Sequence, residues 1–339
     1  MCRVLSLLRY AVTRALAIVP TVLILYTVVF IVLRVIPGDP VTAALGTRSI
    51  PPEELEAIRE RLGLDQPLWR QYIDYLLGVM RGDFGESMTL YGRPVARDIM
   101  ERFPATLELT IFGFIVSVVL GVGSGVVAAF RGGLVDRLLR TSSIVAYTLF
   151  IPWLGLMLKY VFSIKLGILP TGGRIDPRVN LDVVTGLYVL DSIITANPAA
   201  LVSAVEHLIL PSLTLGIVLS GVYTRLVRIH VAEALRSEVA VAYRARGLRE
   251  SRIAVHMLRI SLIPTITMMG LQFAILLGGA VLTEATFSWP GLGSLLVERI
   301  SYRDYSTIQG VTVFFAFMVG LVSLIVDIIY AIVNPRVRY

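Results

Sequence analysis

Very few residues of this chain combine the types and the spacing that covalent chemistry requires. Ser87, within the G-E-S-M of residues 85–88, could present a nucleophile, but none of the three histidines (His207, His230 and His256) is placed to act as its base. The zinc-protease pattern H-E-x-x-H is absent from the sequence. We therefore expect no catalytic residue and no bound metal in this chain.

The sequence also lacks a phosphate-binding P-loop. Its only lysines are Lys159 and Lys165, and neither follows a glycine. A P-loop ends in Gly-Lys-Ser/Thr, because its lysine must reach the terminal phosphates of the nucleotide. Cys2 is the only cysteine, so no disulfide or thiolate metal cluster can form within the chain. We expect no cofactor here, and any ATP-driven work must come from another subunit.

Residues 225–259 form a polar stretch between two apolar ones, with eight arginines and two histidines against three glutamates. Within it, VAEALRSEVAVAYRARG predicts a helix that ends at Gly247, since glycine is favoured just past a helix C-terminus. Arg244 and Arg246 complement the negative end of the helix dipole. A solvated helix beside anionic lipid headgroups and a docking site for a protein partner both fit this composition.

The polar stretch of residues 225–259 must be held in place by the apolar segments on either side of it, which predict membrane-spanning helices. The chain is 56% hydrophobic and 16% charged, with a mean hydropathy of +0.78, and a spanning helix needs about 20 apolar residues. The predicted fold class is all-α, a polytopic membrane protein with six transmembrane helices. The six segments are residues 15–33, 109–130, 141–158, 208–224, 260–283 and 306–326. The first is interpreted as an uncleaved span, because IPGDP follows it in place of a small-residue cleavage site.

The distribution of charge predicts the orientation of these spans. One side receives the N-terminus, residues 131–140, residues 225–259 and the C-terminal tail, with 16 basic and 4 acidic residues. The loops of the other side hold 14 basic and 18 acidic residues. Because basic residues near span ends mark the cytoplasmic side, both termini and residues 225–259 are predicted to be cytoplasmic. This asymmetry explains the basic pI of about 9.7, so no nucleic-acid partner is needed to account for it.

Several polar features belong to the opposite side or to the span ends. Residues 49–64 and 66–80 each predict an amphipathic helix in the long segment after the first span. Glu108 and Asp327 lie near span ends, where a charge costs much less than at the bilayer centre. Interfacial anchoring or capping is therefore favoured over a transport role for both. The spans are otherwise poor in charge, which argues against a proton- or sodium-coupled carrier.

The spacing from Gly247 to Pro264, in RARGLRESRIAVHMLRISLIP, resembles the cytoplasmic loop of ABC-transporter permeases in its dipeptide/oligopeptide version. Further motifs of that family occur in family order over nearly the whole chain. They are IPGDP, LGLDQPLWRQY, GDFGES, RFPATLEL, ILPTGG, HLILPSLTLG, EATFSWPGLGSLL, YRDYSTIQG and NPRVRY. Val241-Ala242-Tyr243 departs from the Glu-Ala-Ala of the general motif, and Asn334 stands where an aspartate is more usual.

The resemblance implies a MetI-like permease fold of the type I ABC importers, and the first of the family's two permeases. It divides the chain into a first span with a long extracytoplasmic segment (residues 1–104), a five-helix permease core (105–333) and a cytoplasmic tail (334–339). A coupling helix is expected near residues 233–247. The residues expected to contact an ATPase are Glu238, Tyr243, Arg244, Ala245, Arg246, Gly247 and Leu248.

The function implied is import of dipeptides or oligopeptides across the cytoplasmic membrane by alternating access. The expected partners are a homologous second permease, two ABC ATPases that bind ATP and magnesium, an extracytoplasmic substrate-binding protein and membrane lipid. The chain itself would perform no bond chemistry. The same machinery importing oligosaccharides or nickel is an alternative, and a stand-alone secondary carrier is another from a different class.

Overall fold

Long helices make up most of the computed structural model, which describes residues 2–35, 53, 56, 59–60, 63–89 and 92–333. The helices are α1 (Cys2–Val35), α2 (Leu68–Met80), α3 (Val95–Arg131), α4 (Gly133–Thr148), α5 (Ile151–Leu158, continued by a π-helical turn at Lys159–Lys165), α6 (Tyr188–Ile194), α7 (Pro198–Arg236), α8 (Glu238–Ala245), α9 (Glu250–Gly279), α10 (Val281–Thr286), α11 (Leu292–Ser301) and α12 (Tyr305–Val333). The tail predicted at residues 334–339 lies outside the described residues, as does most of the helix predicted over residues 49–64.

Four described helices are long and apolar enough to cross a membrane: α1, α3, α7 and α12. A fifth span results if α4 and α5, which meet at a bend of 104°, are counted as one. In α9 the apolar part, Met268–Gly278, is shorter. The prediction of a polytopic all-α protein is confirmed, whereas the count of six spans stays a prediction.

The bend between α4 and α5 falls inside the predicted third span, residues 141–158. Leu149 and Phe150 are extended, and Pro152 stands in the first turn of α5. Because proline has no N–H, it cannot donate to the carbonyl of Thr148, where α4 ends. The third segment is therefore two short helices rather than one straight span.

Helix α7 is much longer than the predicted span over residues 208–224, because it continues through the polar stretch to Arg236. Tyr223, Val227 and Val231 are fully buried at a spacing of four residues. Such spacing places them on one face of the helix. This apolar face carries α7 beyond the membrane-like segment, so residues 225–236 belong to a rigid helix and not to a loop.

Small residues on α3 allow α7 to approach closely. Ser117, Gly121 and Gly125 are buried at a spacing of four residues. A Cβ added to Gly121 would lie 2.5 Å from the Tyr223 Cβ, and one added to Gly125 would lie 2.8 Å from the Val227 Cβ. Membrane helices use small residues at such contacts because close backbone approach maximises van der Waals packing.

We expect Gly121→Val to destabilise the protein by about 1–3 kcal/mol or more, because the added side chain overpacks the contact between α3 and α7. Gly123→Val is the matched control, since Gly123 is exposed and a Cβ added there meets no atom within 4 Å. The melting temperature of the detergent-purified protein measures both. Equal melting temperatures for the two variants would contradict this packing.

Glu108 is buried near the predicted outer end of its span and holds a loop in place. It is 3% exposed, and its carboxylate accepts hydrogen bonds from Arg174 Nη2 at 2.5 Å and from the Val189 amide at 2.8 Å. The Arg174 guanidinium lies 3.7 Å from the ring centroid of Tyr188. These contacts fit the predicted anchoring role. Asp327 pairs with Arg14 at 3.3 Å.

Candidate functional site

The polar stretch after α7 contains one short helix, α8, whose start is defined by Ser237. The Ser237 backbone is extended, and its hydroxyl accepts from the Ala240 amide at 3.4 Å. Serine is favoured at an N-cap because its oxygen satisfies an amide that has no partner within the helix. Glu238, in the first turn, opposes the positive end of the helix dipole. The chain therefore breaks at Ser237, and α8 is separate from α7.

The end of α8 is fixed by Gly247, as the sequence predicts. Its φ is +73°, in the left-handed region that favours glycine. The Gly247 amide donates to the Arg244 carbonyl at 2.9 Å, and the Leu248 amide donates to the Tyr243 carbonyl at 3.2 Å. This pair of bonds is a Schellman motif, in which the flanking side chains, here Tyr243 and Leu248, commonly pack together. The motif reverses the chain into the loop that leads to α9.

The inner face of α8 packs between α7 and α9. Ala240 is fully buried against Ile253 and Met257 of α9. The partly buried side chains of Leu235, Tyr243 and Leu248 complete this cluster, together with Ala234. Because the cluster joins three helices through buried apolar contacts, α8 is held to both α7 and α9.

Arg244 is bound to its own chain. Its Nε donates to Glu250 Oε1 at 2.8 Å and its Nη2 to Glu250 Oε2 at 3.3 Å. Its Nη1 lies 3.5 Å from the Leu235 carbonyl oxygen. The hydrogen bond from Arg244 lowers the pKa of Glu250. Arg244 thus links the last turn of α8 to the first turn of α9, so it contributes to the position of the helix.

The outer face of α8 consists of small and charged residues. Ala242, Glu238 and Ala245 are exposed and follow one another at helical spacing on the side opposite the buried Ala240. Val241 is 57% exposed on the flank of this face. The alanines leave room for a partner surface to approach the helix backbone. We call Glu238, Ala242, Ala245, Arg246 and Gly247 the outer surface of α8.

The seven residues predicted for docking divide into two groups. Five are exposed: Glu238, Arg244, Ala245, Arg246 and Gly247. Tyr243 and Leu248 are partly buried and face the packed cluster. Sequence reasoning missed Ala242 and the Ser237 cap, although a serine before a run of helix formers is a recognisable N-cap signal. The helix also begins at Glu238, so residues 233–236 of the region expected near 233–247 belong to α7.

Comparison with known families agrees with the resemblance of the motifs. Residues 117–339 match the family described as binding-protein-dependent transport system inner membrane component. Residues 7–110 match the N-terminal region of the corresponding membrane components. The first match covers most of the chain, including α8 and its flanking helices. The predicted MetI-like permease fold is the fold of this family.

Curated relatives align with the chain over nearly its whole length. The di/tripeptide transport system permease protein DppB of Pseudomonas aeruginosa (strain UCBPP-PA14) is 40% identical over 324 residues, which cover 95% of this chain and 96% of the relative. The dipeptide transport system permease protein DppB of Escherichia coli (strain K12) is 38% identical over 98% of this chain and 99% of the relative. The glutathione transport system permease protein GsiC of Escherichia coli (strain K12) is 37% identical over 98% of this chain and 100% of the relative.

Together the two family matches cover residues 7–110 and 117–339, and they confirm the family resemblance that the motifs indicate. They also agree with the several long apolar helices of the structure, which indicate a multi-pass protein of the inner membrane. The chain therefore belongs to the family of binding-protein-dependent transport system inner membrane components.

Proposed function

We propose that this chain is a permease subunit that imports short peptides, and that α8 is the helix through which ATPase subunits drive it. The observation that carries this proposal is the geometry of α8, a short helix with an exposed outer surface and a buried inner face fixed to α7 and α9. The names of the relatives, two of which transport dipeptides or di- and tripeptides, support the substrate class.

The outer surface of α8 is proposed to lie in the cytoplasm. The excess of basic residues in residues 225–259 and in the other segments assigned to that side supports this orientation. Both termini then share the cytoplasmic side with α8. The long segment between α1 and α3, which contains α2, faces the opposite side, where a substrate-binding protein would deliver cargo.

In the proposed mechanism, two ATPase subunits bind ATP and magnesium, and this chain binds neither. Closure of the ATPases displaces α8, and the cluster around Ala240 passes that displacement to α7 and α9. Helix α7, with 39 residues, is longer than α9, with 30, so a rotation of α7 moves its far end further. A second, homologous permease would supply the other wall of the path, and the two chains would alternate between inward and outward access within the surrounding lipid.

The test is ATP-dependent uptake of labelled Ala-Ala into proteoliposomes that contain this chain, its second permease, its ATPases and its binding protein. We expect uptake with ATP and none when the P-loop lysine of the ATPases is replaced. Uptake of Ala-Ala by the chain without ATPases would favour a secondary carrier. Uptake of oligosaccharide or nickel with no uptake of peptide would overturn the substrate class.

A further inference from the structure

A polar cavity of about 230 Å³ lies at the end of α1, and Arg34 is one of its lining residues. Helix α2, residues 83–88 and the start of α12 supply other parts of the wall. Arg34 Nη1 donates to Gln309 Oε1 at 3.3 Å, and Nη2 donates to Gln71 Oε1 at 3.2 Å. The guanidinium carbon lies 4.2 Å from the Phe30 ring centroid. The cation is thus fixed at the cavity by an aromatic face and two amide oxygens.

Arg34 differs from Arg174 and Arg299, the two arginines that are fully buried in the described part of the chain. Arg174 has Glu108 as its partner, and Arg299 has Asp98. Both hydrogen bonds of Arg34 within the described part of the chain are to neutral amides, and no described carboxylate forms an ion pair with it. A charge removed from water is costly unless it is paired and hydrogen-bonded. The cavity therefore favours an anionic group at Arg34.

Three further hydrogen-bond donors line the cavity. Tyr75 Oη, Tyr305 Oη and Gln309 Nε2 are buried and have no hydrogen-bond partner among the described residues. Tyr305 is 4% exposed and Gln309 is 2% exposed. Buried polar atoms normally have partners, and these three add an amide N–H and two hydroxyls to the guanidinium. Residues with donors of these kinds, lining one cavity with a guanidinium, suit the two acceptor oxygens of a carboxylate.

The donors are held in position by their neighbours. Gln71 Nε2 donates to the carbonyl oxygens of Leu64 at 3.0 Å and Gln66 at 2.8 Å, so its amide oxygen is the group that accepts from Arg34. The Tyr75 ring stacks on the Tyr26 ring, with centroids 5.7 Å apart. A site whose donors are fixed before a ligand arrives loses less conformational entropy on binding.

The cavity also has an acidic part. Asp74 and Asp83 are among its lining residues. Asp74 lies 3.8 Å from Arg70, and one oxygen of Asp83 accepts from the Gly85 amide. The cavity therefore holds carboxylates together with Arg34, which pairs with no carboxylate in the described part of the chain, and this combination suits a small zwitterion better than a simple anion.

We propose that Arg34, Gln309, Tyr75 and Tyr305 bind the terminal carboxylate of a short peptide on the extracytoplasmic side of the permease. Asp74 and Asp83 attract the ammonium group of the same peptide. This assignment rests on the proposed function, since it takes the peptide as cargo and places the segment between α1 and α3 outside. It makes this chain a contributor to selectivity, in addition to any contribution from a separate binding protein.

The test uses the full-length chain in nanodiscs without a binding protein, and saturation-transfer NMR with Ala-Ala, Ala-Ala amide and acetate as probes. We expect Ala-Ala to bind and the amide to bind about tenfold more weakly, because the amide lacks the charged acceptor. Acetate should compete with Ala-Ala. Arg34→Gln should weaken Ala-Ala binding to the level of the amide, while Arg81→Gln, at an exposed arginine just after α2, should leave it unchanged.

A second variant separates loss of the site from loss of folding. Gln309→Glu places a carboxylate beside Arg34, so it should block Ala-Ala binding while the melting temperature stays at or above the wild-type value. Unchanged Ala-Ala binding in both Arg34→Gln and Gln309→Glu would overturn the site, as would acetate binding without peptide binding. If the site is overturned in this way, ATP-driven Ala-Ala uptake by the whole complex, measured separately, still tests the proposed function on its own.

Discussion

Gly247→Asp is expected to reduce ATP-driven transport to background while the protein still inserts into the membrane. Gly247 is exposed, and a Cβ added there meets no atom within 4 Å, so the first atom of a new side chain has room. A non-glycine residue at φ +73° costs about 1–2 kcal/mol, and aspartate is among the residues that tolerate it best. Its carboxylate, however, adds negative charge at the negative end of α8 and occupies the outer surface on which an ATPase would pack.

The measurements are uptake of labelled Ala-Ala and the amount of monodisperse protein recovered from membranes. Gly247→Asn is the matched control, since it has the same size and a similar tolerance for this backbone conformation but no charge. We expect Asn to transport more than Asp. Full transport by Gly247→Asp would show that the end of α8 is not a docking surface.

Glu108→Gln is expected to cause the largest loss of stability. It leaves the Arg174 guanidinium buried without its carboxylate, and breaking a buried ion pair from one side costs about 3–5 kcal/mol. Glutamine keeps the size of the side chain and an acceptor for the Val189 amide, so the effect reports the lost charge. The melting temperature of the purified protein measures it.

Two further variants test this interpretation. Glu101→Gln, on the same helix, removes an exposed carboxylate that pairs with Arg93 and Arg97, and exposed pairs contribute only about 0–1 kcal/mol each. The double variant Glu108→Gln with Arg174→Gln should be more stable than Glu108→Gln alone, because it removes the unpaired charge. Equal melting temperatures for Glu108→Gln and Glu101→Gln would contradict the anchoring role of Glu108.

Local sequence signals predicted the parts of the fold that depend on local physics. The amphipathic pattern of residues 66–80 predicted α2, and Gly247 predicted the end of α8. The location of Glu108 near a span end predicted anchoring, although its partner Arg174 is 66 residues away and was not predicted. The charged composition of residues 225–259 also predicted a solvated helix, and the outer surface of α8 is exposed.

Features that depend on tertiary contacts were not predicted. The extent of α7 follows from burial of Val227 and Val231 against other helices, so hydropathy marked the end of the span at residue 224 but not the continuation of the same helix to Arg236. The bend after Thr148 was also missed, although Pro152 within the predicted third span is a local signal of a helix break. Arg34 and Gln309 are 275 residues apart, and no pattern along the chain indicates that their side chains meet at one cavity.

The most direct test of the central claim is cysteine cross-linking between α8 and an ATPase subunit in the assembled transporter. Cys2 is the only native cysteine, so Cys2→Ser gives a background in which single cysteines can be placed. Ala242→Cys lies on the outer surface of α8, and Ala240→Cys lies two residues away on the buried face. We predict that Ala242→Cys forms a cross-link to the ATPase and that Ala240→Cys does not. A fully assembled, ATP-hydrolysing complex in which Ala242→Cys forms no cross-link would contradict the assignment of α8 as the coupling helix.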